Sequence, residues 1–459
     1  MPSPITHKRP MCAFALTRTR AVLTGTAALA ASVLGACKTD QILNVSQPDV
    51  LAVAAFSTPA GADPLRFGVI SDFVRAYDGN TDAFTVISGN MADELYASDT
   101  FDDRLTINSR RSVEVNPNME TEYRYLQQAH VGANSAAQIL SKSVPDQKWQ
   151  RAEMYLVRGY TEIFFGEGWC AGTPFSTQDA AGVTTYGQPN TTAQLFTLAV
   201  TSFDTALSLS DTSTRVKYAS QIGRGRALLN LARYADAATA VSGVPAKFQY
   251  LTFHSTSSTR EENGMWNAEA NGSSRYSIVS KEGTNGLPYL ATPDPRIPWA
   301  PSTRIGFNSI STNLPTELKF GRTTSGILAD GIEAQLIVLE ARLQGGTQAD
   351  RDAVFAGLNA MRASNSPVIA PIAGPSPSTQ AAAVDQLFAE RAYWMWLTGH
   401  RLGDMRRLVR QYGRDSESVF PIGNLPSPLS GTYGTGVAIV IPFNERNNPS
   451  FSGCLDTKA

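Results

Sequence analysis

The chain has few charged residues for its length, and their signs nearly balance. Only 17% of the 459 residues are charged, and 39 basic residues stand against 40 acidic ones, so the formal net charge is −1. A nucleic-acid-binding protein needs a basic surface that neutralises phosphates. The composition therefore argues against a nucleic-acid partner.

Residues that bind metals or act as nucleophiles are also scarce. The chain has four histidines and four cysteines, and they form neither an H-E-x-x-H nor a C-x-x-C motif. There is no G-x-S-x-G nucleophile elbow. The stretch 223–225 (Gly-Arg-Gly) has no third glycine or following lysine to complete a phosphate loop. We expect no cofactor, no metal site and no enzymatic activity.

One cluster near the C-terminus could suggest acid–base catalysis, and it consists of His400, Arg401, Asp404 and Arg407. Its spacing is instead typical of ion pairs along a helix, because Arg401 and Asp404 are three residues apart, as are Asp404 and Arg407. A glycoside hydrolase would need two positioned carboxylates, and nothing in the sequence marks such a pair. We therefore expect a structural role for this cluster.

The N-terminal region has the features of a secretory signal. Basic residues precede an apolar run over 21–34 that is too short to span a bilayer, and two small residues separate that run from Cys37. The pattern resembles a bacterial lipoprotein signal, cleaved before a cysteine that carries lipid. We expect a signal peptide over 1–36 and lipidation of Cys37. The alternative is an ordinary signal peptide with a cysteine nearby by chance.

Acyl chains on Cys37 would hold the mature chain on a membrane without a transmembrane helix. The segment 37–60 is polar and is expected to be a lipid-anchored tether, and no later segment is apolar enough to cross a bilayer. Lys38, rather than Asp, follows the cysteine. In a Gram-negative cell this favours the outer membrane.

Two cysteines, Cys170 and Cys454, remain once Cys12 is assigned to the signal and Cys37 to the lipid. In an oxidising compartment such a pair favours a disulfide. The bond would tie the C-terminal tail to the middle of the chain. The alternative is two separate buried thiols.

Apolar and small residues recur at helical spacing over about 119–245 and 326–412. Within the first range, 219–245 resembles a tetratricopeptide repeat, because small residues lead to an aromatic at the turn and a closing proline. The range 246–325 is rich in Ser, Thr, Asn, Gly and Pro, so we expect short strands and ordered loops there. The predicted fold is mostly α: tetratricopeptide-like helical repeats in an α/α superhelix, with a long loop-rich insertion and a C-terminal coil.

Three finer expectations concern individual segments. The range 66–77 is predicted to form a first helix. The range 84–116 is mixed and is predicted to form loops with short helical turns. A long amphipathic helical segment is predicted over about 379–412.

Several local motifs resemble, in order, those of the SusD/RagB family of outer-membrane nutrient-binding lipoproteins. They lie at 152–160 and 172–175, 294–296, 333–342, 358–362, 390–391 with 399–407, and 441–449. The resemblance covers nearly the whole chain after Cys37. It implies one SusD-like domain over 61–459, with a loop-rich ligand region at about 246–325.

The resemblance also implies a function. Members of the family capture nutrients at the cell exterior and pass them to a SusC-like TonB-dependent transporter, over which they lie as a hinged lid. An oligosaccharide is the implied ligand, and a peptide is the alternative within the family. A different alternative is a scaffold that binds only proteins, in which case the aromatic residues of the insertion would be buried.

Candidate ligand residues come first from the insertion, because sugar sites combine aromatic rings with a few polar groups. Its aromatic residues are Phe248, Tyr250, Phe253, Trp266, Tyr276, Tyr289, Trp299 and Phe307. Trp266, which lies in a polar stretch, and Tyr276, which follows Arg275, are the leading candidates. The alternative is that each ring covers the small core of its own loop.

The family resemblance adds a second candidate region, because the segment after the first helices often contributes to the ligand site. Asn90 and Asp93 could bind sugar hydroxyls, and Tyr96 could stack on a ring. The alternative is that Asn90 caps a helix and that a solvated acidic turn follows it.

Overall fold

Helices are the main secondary structure of the described chain and its strands are few and short, which confirms the mostly α prediction. The computed structural model describes residues 57–178, 183–269 and 273–459. The helices of the first half are α1 (Pro59–Tyr77), α2 (Phe84–Met91), α3 (Asp102–Asn108), α4 (Pro117–Ser143), α5 (Lys148–Gly168), α6 (Thr192–Leu209), α7 (Thr214–Asn230) and α8 (Tyr234–Val241). Those of the second half are α9 (Gly264–Glu269), α10 (Gly331–Leu343), α11 (Gln348–Ser364), α12 (Gln380–Trp394), α13 (Arg401–Tyr412) and α14 (Ser416–Val419).

The helices over 117–241 pack in sequence order, α4 on α5, α5 on α6, α6 on α7 and α7 on α8. Glycines let these helices approach closely. The ring of Phe203 on α6 lies against Gly159 on α5 and Gly223 on α7, where an added Cβ would come within 2.7 Å and 2.3 Å of the ring. This stepwise packing of small residues around one ring is the arrangement expected of tetratricopeptide-like pairs.

Short strands occur mainly in and around the insertion. They are β1 (Leu95–Ala97), β2 (Thr177–Gln178), β3 (Thr184–Thr185), β4 (Gln249–Thr252), β5 (Tyr276–Ile278), β6 (Trp299–Arg304), β7 (Leu314–Glu317) and β8 (Gly326–Asp330). They pair antiparallel as β1–β5, β2–β3, β4–β8 and β6–β7. Because β4 pairs with β8, the insertion leaves and rejoins the helical part at neighbouring positions.

The insertion has its own apolar core, separate from that of the helices. This core joins side chains of the insertion with others from α2, β1 and the end of α12. Its members include Val86, Leu95, Met265, Tyr276, Ile278, Tyr289, Ile297, Phe320 and Trp396. The long loops between the strands are therefore ordered around a buried cluster rather than extended into solvent.

Three helix boundaries differ from the prediction. α1 begins at Pro59 rather than near 66, because Thr58 caps it and proline suits a first turn. The range 84–116 contains two helices, α2 and α3; α2 is buried along its whole length, and α3 is buried on one side. The segment 379–412 is two helices, α12 and α13. They are separated where Leu397 and Gly399 adopt positive φ angles of 58° and 74°.

The expected signal peptide, tether and lipidated Cys37 lie outside the described residues. Within the part of the chain that the structure describes, no helix is both long enough and apolar enough to cross a membrane.

A disulfide joins Cys170, just after α5, to Cys454 in the C-terminal coil, with a Cα–Cα distance of 5.8 Å. The coil is also held by backbone hydrogen bonds. Cys170 N–H donates to the carbonyl of Ile439 at 2.8 Å, and Leu455 N–H donates to the carbonyl of Ala171 at 2.8 Å. The bond spans 284 residues of sequence, so it closes a very long loop.

We predict that Cys454→Ser lowers the urea midpoint of unfolding, because the unfolded chain regains the entropy that the cross-link removes. Loop closure over such a length accounts for at most roughly 5 kcal/mol. Adding dithiothreitol should lower the midpoint of the wild-type chain but not that of Cys170→Ser/Cys454→Ser. Equal midpoints for wild type and Cys454→Ser would contradict a stabilising role for the disulfide.

Candidate functional site

The early loop and the insertion meet through a short antiparallel sheet. β1 pairs with β5, with Tyr96 opposite Ser277 and Ala97 opposite Tyr276. Both strands are buried along their whole length, because α2 and α3 lie against β1 and α9 lies against β5. The two regions expected to contact a ligand are thus neighbours, but the side chains of these strands face the interior.

Four of the five expected ligand residues are buried, which corrects that prediction. They are Asn90, Asp93, Tyr96 and Tyr276. Asn90 lies inside α2 rather than capping a helix, and its amide donates to the carbonyl of Arg104 at 3.2 Å. The Tyr276 hydroxyl donates to Asp82 at 2.7 Å. Side chains enclosed in this way present no surface to a ligand.

Asp93 is an internal ion-pair partner rather than a ligand contact. Its carboxylate accepts hydrogen bonds from Arg401 Nε at 2.6 Å and Arg401 Nη2 at 2.8 Å. It also accepts one from the backbone N–H of Leu287 at 3.0 Å and one from the Tyr289 hydroxyl at 3.4 Å. One carboxylate therefore connects the loop after α2, the insertion and α13.

The C-terminal cluster is buried, and its pairing differs in part from the prediction. Arg401 binds Asp93, whereas Asp404 binds Arg391 at 2.8 Å and Arg407 at 2.7 Å. Burial by itself raises the pKa of Asp404, but the charges and hydrogen bonds of Arg391 and Arg407 outweigh it and hold the pKa of this carboxylate well below its usual range. The expected Asp404–Arg407 pair is present, while the expected Arg401–Asp404 pair is not among its ion pairs.

His400 is buried next to Arg226 and Glu333, with its Nε2 3.3 Å from Glu333 Oε1. Burial lowers the pKa of His400, and the charge of Arg226 lowers it further. A histidine enclosed by fixed charges has no surface for a substrate. Within the described ranges, no group of three or more His, Cys, Asp or Glu side chains is placed to hold a metal ion.

Trp266 is the one expected ligand residue that is partly exposed. It lies on the short helix α9, and its backbone N–H donates to the side chain of Asn263 at 3.2 Å. The guanidinium carbon of Arg322 lies 5.4 Å from the centre of the Trp266 ring. The ring therefore has one charged neighbour, and the residue is partly exposed.

Two exposed phenylalanines form a site that the sequence analysis did not select. Phe101 is 48% exposed and Phe307 is 42% exposed. Their ring centres lie 6.0 Å apart with the planes at 72°. The guanidinium carbon of Arg275 lies 3.9 Å from the centre of the Phe307 ring and 4.8 Å from that of Phe101. We call these three residues the aromatic corner.

Asp99 holds the aromatic corner in place from inside the protein. Its buried carboxylate accepts hydrogen bonds from Arg275 Nη1 at 3.0 and 3.1 Å and from Arg104 Nη1 at 3.0 Å. The same carboxylate accepts the backbone N–H of Phe101 at 3.2 Å. Because one group fixes both the arginine and the backbone of Phe101, little ordering is needed when a ligand binds.

The loop that carries Phe307 is equally fixed. The N–H of Phe307 donates to the carbonyl of Ser274 at 3.1 Å, and the N–H of Asn308 donates to the carbonyl of Ser98 at 3.0 Å. Gly306 approaches the chain so closely that an added Cβ would lie 2.7 Å from Ser98 Cβ. Only glycine fits at this position without a shift of the backbone.

An open cleft of about 570 Å³ lies beside the aromatic corner, and we call it the loop cleft. Three segments line it, over 99–111, 308–310 and 425–431. Its apolar lining residues are Leu105, Ile310, Leu425, Pro428 and Leu429, and its polar ones include Thr100, Asp102, Thr106, Arg111, Asn308 and Ser430. Apolar walls with a few hydroxyl, amide and charged groups are typical of small-molecule sites.

A simple sequence signal could have identified both rings of the aromatic corner. Phe101 is flanked by Thr100 and Asp102, and Phe307 is flanked by Gly306 and Asn308. A large apolar ring between polar residues in a loop has few apolar neighbours in sequence to pack against. Tyr276 failed as a candidate because it lies in a strand whose two faces are covered.

Comparison with known proteins supports the fold but gives no match in sequence. No protein-family model and no curated protein matches the chain. Similar solved structures include a SusD superfamily protein from Bacteroides vulgatus, at 13% identity and a TM-score of 0.60, over 87% of this chain and 99% of that one. A SusD-like carbohydrate-binding protein from Bacteroides fragilis matches at 14% identity and a TM-score of 0.58, over 87% and 100%.

A laminarin-binding SusD-like protein also matches, at 14% identity and a TM-score of 0.55, over 86% of this chain and 99% of that one. At such identities the likeness concerns the fold. The chain therefore has the SusD-like helical fold, which confirms the resemblance inferred from its motifs.

Glu94, behind the site, is predicted to make stability depend on pH. Burial raises its pKa to about 8, although it accepts the N–H of Leu397 at 2.9 Å and lies near Arg401. A raised carboxyl pKa stabilises the fold below the unfolded pKa of about 4.3, and this contribution is lost as pH rises towards 8.

Glu94→Gln keeps the acceptor for Leu397 and removes the charge. We expect thermal unfolding to show Glu94→Gln close to wild type at pH 5 and more stable, by a few kcal/mol, at pH 9. Glu317, whose pKa burial also raises to about 8, titrates in both proteins, so the difference between them isolates Glu94. If the difference in stability between Glu94→Gln and wild type were the same at pH 5 and pH 9, the raised pKa of Glu94 would be contradicted.

Proposed function

We propose that the chain is a surface-exposed, outer-membrane lipoprotein that captures an oligosaccharide in the loop cleft and passes it to a SusC-like TonB-dependent transporter. It would do so without catalysing a reaction. The observation that carries this proposal is the aromatic corner. There, two exposed rings lie next in sequence to Thr100, Asp102 and Asn308, which line an open cleft. The chain also has the fold of carbohydrate-binding proteins.

The geometry of the aromatic corner suits a sugar. Pyranose rings have apolar C–H faces that pack on aromatic rings, and hydroxyls that need hydrogen-bonding groups. Phe101 and Phe307 offer ring faces in two orientations, and Asn308, Thr100 and Arg111 lie along the cleft beside them. Because Asp99 neutralises Arg275, the corner favours neutral ligands over anions.

Two alternatives predict different results. A peptide ligand would use the apolar wall of the loop cleft together with Asp102 and Arg111, which could bind peptide charges. A scaffold that binds only protein would leave the loop cleft without a soluble ligand. The scaffold requires the aromatic residues of the insertion to be buried. Tyr250, Tyr276 and Tyr289 are buried, but the exposure of Phe253 and Phe307 speaks against the scaffold.

The test is calorimetric titration of the full chain with laminarin, other soluble polysaccharides and a peptide mixture. We expect a polysaccharide to bind, and Phe101→Ala/Phe307→Ala to weaken it by about tenfold or more, since each stacked ring contributes on the order of 1 kcal/mol. We also propose that the partly exposed Trp266 contacts the ligand, so Trp266→Ala should weaken binding of the same polysaccharide.

Phe253→Ala is the matched control, because Phe253 is an exposed phenylalanine of the insertion (69%) that belongs neither to the aromatic corner nor to the lining of the loop cleft. Its affinity should equal that of the wild type. Polysaccharide binding that survives loss of both corner rings would place the site elsewhere. Binding of peptides alone would favour the peptide alternative, and an absence of any binding would favour the scaffold.

A separate prediction concerns the proposed lipid anchor. Cys37→Ala removes the thiol that would follow the cleavage site and carry the acyl chains. We expect this variant to move from the membrane to the soluble fraction after cell lysis, and to lose co-purification with a transporter. Cys170→Ser should keep its membrane association, and membrane retention of Cys37→Ala would contradict the anchor.

A further inference from the structure

A second open cleft lies on the helical part of the protein, and we call it the helical cleft. Its volume is about 590 Å³. One wall comes from α4 and α5, and the other from segments beside β2 and β3 together with α6. Its lining residues are His130, Val131, Asn134, Ser135, Gln138, Arg158, Phe175, Ser176, Thr177, Thr185, Gln188, Asn190 and Leu198.

A buried carboxylate behind the helical cleft fixes two of its lining side chains. Glu162 is fully buried and accepts a hydrogen bond from Arg158 Nε at 2.9 Å, and its Oε1 lies 3.1 Å from His130 Nε2. Ser202 donates to its other oxygen at 2.7 Å. The guanidinium of Arg158 also reaches Asn134, whose Oδ1 accepts from Nη1 at 3.3 Å.

The helical cleft also has a flat ring surface. The rings of His130 and Phe175 stack with their centres 3.9 Å apart and their planes at 14°. Phe175 is held from behind by the ring of Phe165, edge to face at 5.7 Å. His130 is only 6% exposed, so the partly open Phe175 offers the accessible part of this surface.

The wall that carries Phe175 is rigid because two stretches of backbone are in close contact. Gly172 N–H donates to the carbonyl of Asn190 at 2.8 Å, and Asn190 N–H donates to the carbonyl of Thr173 at 3.2 Å. An added Cβ on Gly187 would lie 2.3 Å from the carbonyl oxygen of Phe175. The cleft is therefore formed before any ligand arrives.

The lining chemistry identifies the class of ligand. Arg158 is the one Arg, Lys, Asp or Glu among the lining residues, and it forms an ion pair with the buried Glu162. The remaining polar groups are amides and hydroxyls, which suit neutral ligands rich in hydroxyl groups. We propose that the helical cleft is a second saccharide site that holds one or two sugar rings, with a ring face on Phe175. This proposal rests on none of the residues of the loop cleft.

The test uses the full chain with Phe101→Ala/Phe307→Ala as background, so that the loop cleft contributes little. Saturation-transfer NMR and calorimetry would measure binding of laminaribiose, cellobiose, maltose and diacetylchitobiose at millimolar concentrations. We expect at least one disaccharide to bind. Adding Ser135→Phe, which fills the helical cleft from an exposed position on α4, should weaken that binding by about tenfold or more.

Ser141→Phe is the matched control, because it adds the same ring to α4 outside the lining of the helical cleft. It should leave disaccharide binding unchanged, and equal melting temperatures would show that both variants fold. If the background variant binds none of the four disaccharides, or if Ser135→Phe binds as well as Ser141→Phe, the second site is refuted. Either result leaves polysaccharide binding at the loop cleft to its own test.

Discussion

The buried ion pair between Asp93 and Arg401 is the contact on which the arrangement of the site depends. It ties the loop after α2 to α13, and the same carboxylate accepts hydrogen bonds from Leu287 and Tyr289 of the insertion. Removing one partner of such a pair leaves the other charge buried and uncompensated, which costs on the order of 3–5 kcal/mol. Asp93 lies just before β1 in the chain, so this ion pair fixes where β1 starts. It thereby also helps to position Asp99 and Phe101, which follow β1.

The sequence predicted the helical half of the molecule well because its signals are local. Small residues such as Gly159 and Gly223 recur at helical spacing, and the structure places them against one ring, Phe203. The break between α12 and α13 was missed because it depends on distant contacts: Leu397 donates its N–H to Glu94, about three hundred residues earlier in the chain. The apolar periodicity continues across the break, so it predicts one long helical segment instead of two helices.

The site was predicted at the level of segments and not of side chains. Their residue types suggested that Tyr276 and Asp93 could contact a sugar. Whether these side chains are buried depends on which strands pair, and the pairing cannot be read from the spacing of residues in the sequence. Phe101 and Phe307 became neighbours only through the β1–β5 sheet and the bonds from 306–308 to Ser98 and Ser274. An aspartate can bind a ligand or form an internal ion pair, and only its neighbours in the fold decide which. Asp93 and Asp99 both form ion pairs with buried or partly buried arginines.

The link from Cys170 to Cys454 has a consequence for the order of events in synthesis. A ribosome makes the chain from its N-terminus, so Cys170 cannot pair with Cys454 until 284 further positions have been added. The helices over 117–241 pack mostly on their neighbours in sequence, and these contacts do not need the cross-link. The disulfide therefore closes last in the order of synthesis and is not required to bring those helices together.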